Sequence, residues 1–310
     1  MVADDSTANC NDAKPYLWKR ELQSWGEFCR FFNEEFDLCT DTTPKPLLRH
    51  YVWRGHRRDD WRLLSSFDRV FSRSERFKEL HVEDRAKQRE IILTAHLNSF
   101  AYACRGKLSQ LGISVMELKA YIRRHVLHRN HIWALGQHYG LVTPLLDWCY
   151  SPFAAAFFAF EEERENTGET NDYRVVFGLK VGEVCDVLNL PLDGCQLAYF
   201  DPMSSEHPRL VNQRGLFTVA EKGIDIETLL KKYEDPGFRE RNRSGRNHPW
   251  LIRIRVPDTL SNRQCFLRAL NAMNINHISL FPEIGGAAEF CNLGIELDGY
   301  AKFHGQSPSE

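Results

Sequence analysis

The chain carries no cysteine pair at Cys-x-x-Cys spacing, no uninterrupted apolar run of about 18 residues, and no strong excess of either charge. Each absence excludes something. Nine cysteines, an odd number at scattered positions, argue against a disulfide framework and against a zinc knuckle, and a reducing cytoplasm is the expected home. Without a long apolar run, no membrane span is expected. The net charge of -2, from 40 basic and 42 acidic residues, gives no global pull toward nucleic acid or an anionic membrane. Gly-x-x-x-x-Gly-Lys-Ser/Thr and Gly-x-Gly-x-x-Gly are both missing, which removes the P-loop and the dinucleotide fingerprint. Gly-x-Ser-x-Gly is missing too, against a hydrolase elbow. The first residues lack a basic segment leading into an apolar run, so no signal peptide is expected.

What is present is a 310-residue chain, 43% hydrophobic and 12% aromatic, enough for a large core. The expected organisation is one domain over residues 15–304, with disordered ends at 1–14 and 305–310. Apolar residues at helical spacing predict helices over Glu21–Asp37, Glu90–Tyr102 and Val115–His138. Tyr51–Gly55 reads as a short strand closed by glycine, and 140–148 as a compact loop. Ser151 and Pro152 suit the cap and first position of a helix over Phe153–Glu163. Strands are expected at 173–181, 216–220, 250–256 and His277–Phe281. Helices are expected over Asp258–Ala272, capped by Asp258, and over Glu283–Leu293; residues 235–249 read as a mobile loop. A helical N-terminal half followed by strands among helices predicts an α+β fold with a mixed β-sheet.

Four clusters could carry chemistry. In Trp53-Arg54-Gly55-His56, an arginine at a strand end can present its guanidinium fork to a phosphate, a ribose hydroxyl or a carboxylate. From residue type and spacing alone, a structural ion pair with Asp60, Asp147 or another carboxylate is the favoured reading, since most arginines are solvated or paired. The second cluster runs through Gln137, His138, Tyr139 and Gly140, then Asp147, Trp148 and Ser151 at a helix N-terminus, a place that favours anions. Read singly, Asp147 is a turn residue and Tyr139 and Trp148 are core. The third, Gln213-Arg214-Gly215, sets an amide before an apolar strand. The fourth places Glu283 at a helix start, where the macrodipole favours a carboxylate. His125, His128 and His131 share a helix face, but flanking arginines make a solvated basic face the better reading than a metal site. No metal ligand set is expected, and neither a membrane nor a nucleic-acid partner.

Taken in order, these clusters resemble the FRG domain. Val52-Trp53-Arg54-Gly55 matches its naming motif, with Trp61, Leu63 and Arg69 behind it. Gln137-His138-Tyr139-Gly140, Leu145-Leu146-Asp147-Trp148, Ser151-Pro152 and Phe158-Ala159 match its most distinctive segment. Gln213, Gly215 and Phe217, then Leu280-Phe281-Pro282, match shorter ones, and the likeness spans roughly residues 25–303. His56, Cys149 and Pro144 depart from the family's usual Gln, Thr and Arg. The resemblance implies a place among prokaryotic and phage-associated proteins and a role in phage defence. The order of Arg54, then Tyr139 to Ser151 leading into a helix, then Gln213 or Glu283 parallels ADP-ribosyltransferases. That analogy makes NAD the expected substrate. Arg54, Asp147, Gln213 and Glu283 are then the candidate catalytic residues, and Gly55, His138, Tyr139, Trp148 and Ser151 the ligand-binding ones. The absence of a paired acidic motif at Gln213–Gly215 counts against the analogy. The alternatives are a module that binds a nucleotide or a partner protein without turnover and, last, a nuclease-like effector.

Overall fold

The computed structural model describes residues 16–36, 48–104, 126–163, 172–188, 197–201, 215–231 and 249–300. Their centre is a seven-stranded mixed sheet, order β1-β7-β4-β2-β3-β6-β5. The strands are β1 (Leu17–Glu21), β2 (Val52–His56), β3 (Leu145–Cys149), β4 (Tyr173–Leu179), β5 (Leu197–Phe200), β6 (Gly215–Ala220) and β7 (Leu251–Pro257). Only β1 and β7 pair in parallel; the other neighbours are antiparallel. With the helices around it, this is the expected α+β arrangement.

The helices are α1 (Trp25–Glu35), α2 (Ser66–Arg73), α3 (Glu75–Lys78), α4 (Val82–Ala103), α5 (Val126–His138), α6 (Pro152–Phe160), α7 (Val181–Leu188), α8 (Ile226–Lys231), α9 (Leu260–Ala272), α10 (His277–Leu280) and α11 (Ile284–Glu296). Three buried clusters distribute them. Rings of α1, α6 and α9, among them Phe28, Phe157 and Phe266, pack with Trp53 and Ile254 on one face of the inner strands. Leu93 and Leu97 of α4 and Trp133 of α5 pack with Leu145 and Phe217 of the outer strands. The other face meets α7 and α8 through Val184, Leu229 and Leu230. Strand alternation assigns Val176 to one face and Val175 and Phe177 to the other, as period two requires.

The sheet is nearly parted in the middle. β2 holds five register pairs with β4, and β3 five with β6, yet β2 and β3 share one, Trp53 with Cys149. Had that ladder continued, Gly55 would stand opposite Asp147. A group of four strands, β1-β7-β4-β2, and a group of three, β3-β6-β5, thus meet at a seam.

Several expected elements differ from the observed ones. Residues 145–149 form β3, not a loop, because five pairings with β6 order them; Pro144 stands just before the strand, where it need not donate to a ladder. His277–Leu280 is a helical turn, not a strand, because Asn276 and Ser279 cap it reciprocally. Thr259, not Asp258, caps α9, accepting from the Asn262 N–H at 3.1 Å. Helix α1 starts at Trp25 behind the Ser24 cap, and Glu21 belongs to β1. Strand β2 runs one residue past Gly55. Ser151 and Pro152 do open α6 as expected. The ends at 1–14 and 305–310, the loop at 235–248, residues 115–125 of the third predicted helix, Gln213 and the side chains of the histidine row lie outside the described residues.

Candidate functional site

Helix α6 explains why the seam can hold a site. Its sequence, Pro-Phe-Ala-Ala-Ala-Phe-Phe-Ala-Phe, sets alanines against the sheet, so its backbone lies directly on β2 at Gly55. A Cβ on Gly55 would run into the Ala155 carbonyl oxygen and stand 2.6 Å from the Ala159 nitrogen. Gly55 is therefore a packing glycine inside a strand, not the turn residue its position suggested. At the other end of α6, two buried arginines take up carbonyls that a helix end leaves unpaired. Arg174 donates to Ala159 and Glu162 at 2.7 and 2.8 Å, and Arg263 to Phe160 and Glu161 at 3.2 and 2.9 Å. Arg174 is in turn paired with Asp258 at 2.7 Å.

Between α6, the C-terminal turn of α5 and the parted strands lies an open cavity of about 250 Å³. Arg54 and Asp147 line it, with Gln137 and His138 from α5, and Phe158 and Glu162 from the α6 side. Gly140, at φ 85°, ends α5; Leu141 donates back to the Gly136 carbonyl at 2.8 Å, which aims the α5 terminus at the seam.

Alternation points Arg54 to the side of Val52 and His56, and Asp147 to the side of Leu145 and Cys149. The two meet through the gap. Arg54 Nη1 donates to the Asp147 carbonyl at 2.7 Å and stands 2.8 Å from Asp147 Oδ1, while Arg54 Nε donates to His56 Nε2 at 2.8 Å. The guanidinium thus stands where the ladder fails. Gln137 Nε2 reaches Asp147 Oδ1 at 3.3 Å, and Gln137 Oε1 accepts from the Thr143 hydroxyl. Arg54 is 15% exposed and Asp147 58%, so the carboxylate lies open to the cavity though walled by protein. Burial works against its charge, but Arg54's charge and hydrogen bond, with help from Arg69, hold the carboxyl below its ordinary range. His56 is pushed well below the ordinary imidazole range, first by burial and then by the Arg54 charge.

The other expected residues divide clearly. His138 joins the wall and stands 3.5 Å from Glu283 Oε1. Glu283 is the N-cap of α11 but makes no cap hydrogen bond, so it reaches the cavity through His138. Trp148 is buried, its indole N–H donating to Thr218 at 2.9 Å. Ser151 caps α6, accepting from the Ala154 N–H at 3.3 Å. Tyr139 is 62% exposed and is not part of the wall. Cys149 is buried, its thiol pushed up to about 12 by desolvation and the Asp147 charge, which makes it inert. Gln137 and Phe158 belong to motifs quoted from the sequence but carried no assigned role there, and Arg57, Glu161 and Glu162 were not singled out. The signal for the acidic pair was a run of three glutamates, Glu161 to Glu163, at a helix C-terminus, an end that disfavours them. Among the described residues no group of three or more metal-ligating side chains occurs, and no helix is long and apolar enough to cross a membrane.

The family model of the FRG domain matches residues 49–168, and the chain carries an FRG domain over that stretch. The match contains Arg54, Gly55, Gln137, His138, Asp147 and all of α6, hence most of the cavity wall. No curated protein and no solved structure matches the chain.

Proposed function

We propose that the cavity binds a nucleotide and that NAD is its substrate, the protein acting as an ADP-ribosyltransferase-like or NAD-cleaving enzyme in conflict between bacteria and phages. The observation that carries this reading is the arginine–aspartate pair set in an open cavity instead of a closed core. Sites for whole drug-sized ligands span roughly 300–1,000 Å³. At about 250 Å³ this one suits the nucleoside end of a dinucleotide, with the remainder outside. Trp53, Phe158 and Phe217 offer apolar walls for a flat ring.

The chemistry follows from the charges. Breaking the bond between ribose C1′ and the nicotinamide nitrogen sends the electron pair to the ring, leaving it neutral. Positive charge then develops on the ribose, and a carboxylate nearby stabilises it. Asp147, Glu161 and Glu162 all line the cavity. Water or an acceptor hydroxyl adds to C1′ and loses its proton; His138, held from outside by Glu283, is the candidate base. Arg54 Nη2, which has no hydrogen-bond partner among the described residues, would grip one phosphate or ribose oxygen. Tyr139 would act only by folding inward over the bound ring.

A module that binds without turnover is favoured by one feature. Asp147 is already held ionised by Arg54 and is committed to it, so the pair is built to grip more than to move a proton. One experiment separates the two: incubate the protein with NAD and follow free nicotinamide by chromatography, beside Arg54→Ala and Asp147→Asn. Release that falls by about 100-fold or more in both variants supports cleavage. Binding by calorimetry with no release supports the module. Neither binding nor release overturns the nucleotide reading.

A further inference from the structure

We infer that His56 is a positioning residue for Arg54: its imidazole accepts the Arg54 Nε–H and so selects which guanidinium nitrogen is presented to the cavity. An arginine has two edges that can take an oxygen pair, Nε with Nη2 and Nη1 with Nη2. His56 Nε2, 2.8 Å from Nε, occupies half of the first edge. Asp147 occupies half of the second through Nη1. What remains is Nη2 alone, with neither edge open to a bidentate partner. The sequence suggested a fork; the geometry leaves a single prong, which fits one phosphoryl or hydroxyl oxygen better than a planar carboxylate.

The imidazole can do this only as an acceptor. A protonated ring would set two N–H groups against each other, so Nε2 must stay bare and the proton must sit on Nδ1. The surroundings enforce that state. His56 is buried, and Arg54, Arg69 and Arg253 all oppose a positive charge on it, with only the Trp61 backbone favouring one. Its orientation is fixed by two edge-on rings, Phe177 at 5.2 Å and Trp61 at 6.1 Å. Arg57 in turn stacks over Trp61 at 5.3 Å. His56 is not itself part of the cavity wall and acts through Arg54.

The binding part of this inference rests on the nucleotide reading above; the positioning part does not, and two readouts keep them apart. The first is the Arg54 side-chain Nε–H followed by nitrogen-edited NMR at neutral pH. In the unmodified protein it should exchange with water at least ten-fold more slowly than exposed arginines, keep that protection in His56→Gln, whose amide oxygen can accept, and lose it in His56→Leu. The second is affinity for NAD by calorimetry: within about three-fold of the parent for His56→Gln, and at least ten-fold weaker for His56→Leu. Fast exchange of the Arg54 Nε–H in the unmodified protein overturns the inference without any variant, so a His56→Leu chain that does not fold leaves it testable. A His56→Gln variant that behaves like His56→Leu, with both folded by their melting curves, also overturns it. No NAD binding by the parent, with the NMR pattern intact, removes the nucleotide reading and leaves His56 in its role.

Discussion

Burial among three arginines keeps the His56 ring neutral in the native state, and that fixes the sign of its contribution to acid stability. The unfolded chain binds a proton at this position below the ordinary value of 6.5, while the native chain does not. Stability is therefore unaffected by His56 above that pH and falls as pH drops below it, by about 1.4 kcal/mol per unit from this one group. Asp147 is shifted in the same direction for a different reason, because Arg54 favours its charged form: its carboxyl is depressed, so its contribution is complete above the ordinary 3.8 and is lost as pH falls below that. Scanning calorimetry from neutral pH down to about pH 3 should show a falling midpoint that His56→Gln flattens between about pH 6.5 and 4, leaving the carboxylate limb below. A midpoint in His56→Gln that falls as steeply as in the parent between pH 6.5 and 5 would count against a neutral His56.

Helix α6 is where element-scale predictions belong, because both of its ends and one side are pinned. Gly55→Ala should cost about 3 kcal/mol or more, since the atoms in the way are helix backbone and cannot swing aside. Denaturant titration measures it, and a loss under 1 kcal/mol would mean that α6 can lift from β2. Asp258→Ala leaves Arg174 buried without its carboxylate and should cost about 3–5 kcal/mol. Ser151→Ala removes one cap and should cost about 1 kcal/mol. The ranking of the three is the sharper test. Of these features only the Ser151-Pro152 start was legible in the sequence, because a cap is written in adjacent residues. The Arg174–Asp258 pair joins positions 84 apart, and nothing local marks it. For the same reason β3 read as a loop: its order comes from β6, some seventy positions on. The final expected strand differs for another reason: Asn276 and Ser279 write a capping box, and its reciprocal bonds set His277–Leu280 as a helical turn.

At the scale of the whole molecule, the mixed sheet and its α+β character were legible from the alternation of helical and strand-type runs, and the seam was not. Arg54 and Asp147 were picked from residue type and density, and the structure brings them together; that they sit across a parted ladder depends on register, which a sequence does not write down. Hydrogen exchange should show it. The amides of β4 and β7, paired over seven positions, should exchange slowest, and those of β2 and β3 that face the seam well before them. Equal protection across β2 and β3 would mean that the ladder closes in solution.

A single rung between Trp53 and Cys149 also sets how the sheet bears load. Tension along the inner strands is shared over five to seven rungs at each neighbouring pair, whereas tension drawn across the sheet converges on that one rung, the Arg54–Asp147 clasp beside it and the alanine face of α6. Pulled with an optical trap from handles on β1 and β5, the molecule should therefore yield first along this line, as two folded pieces parting, with the candidate site torn open before either half of the sheet unravels.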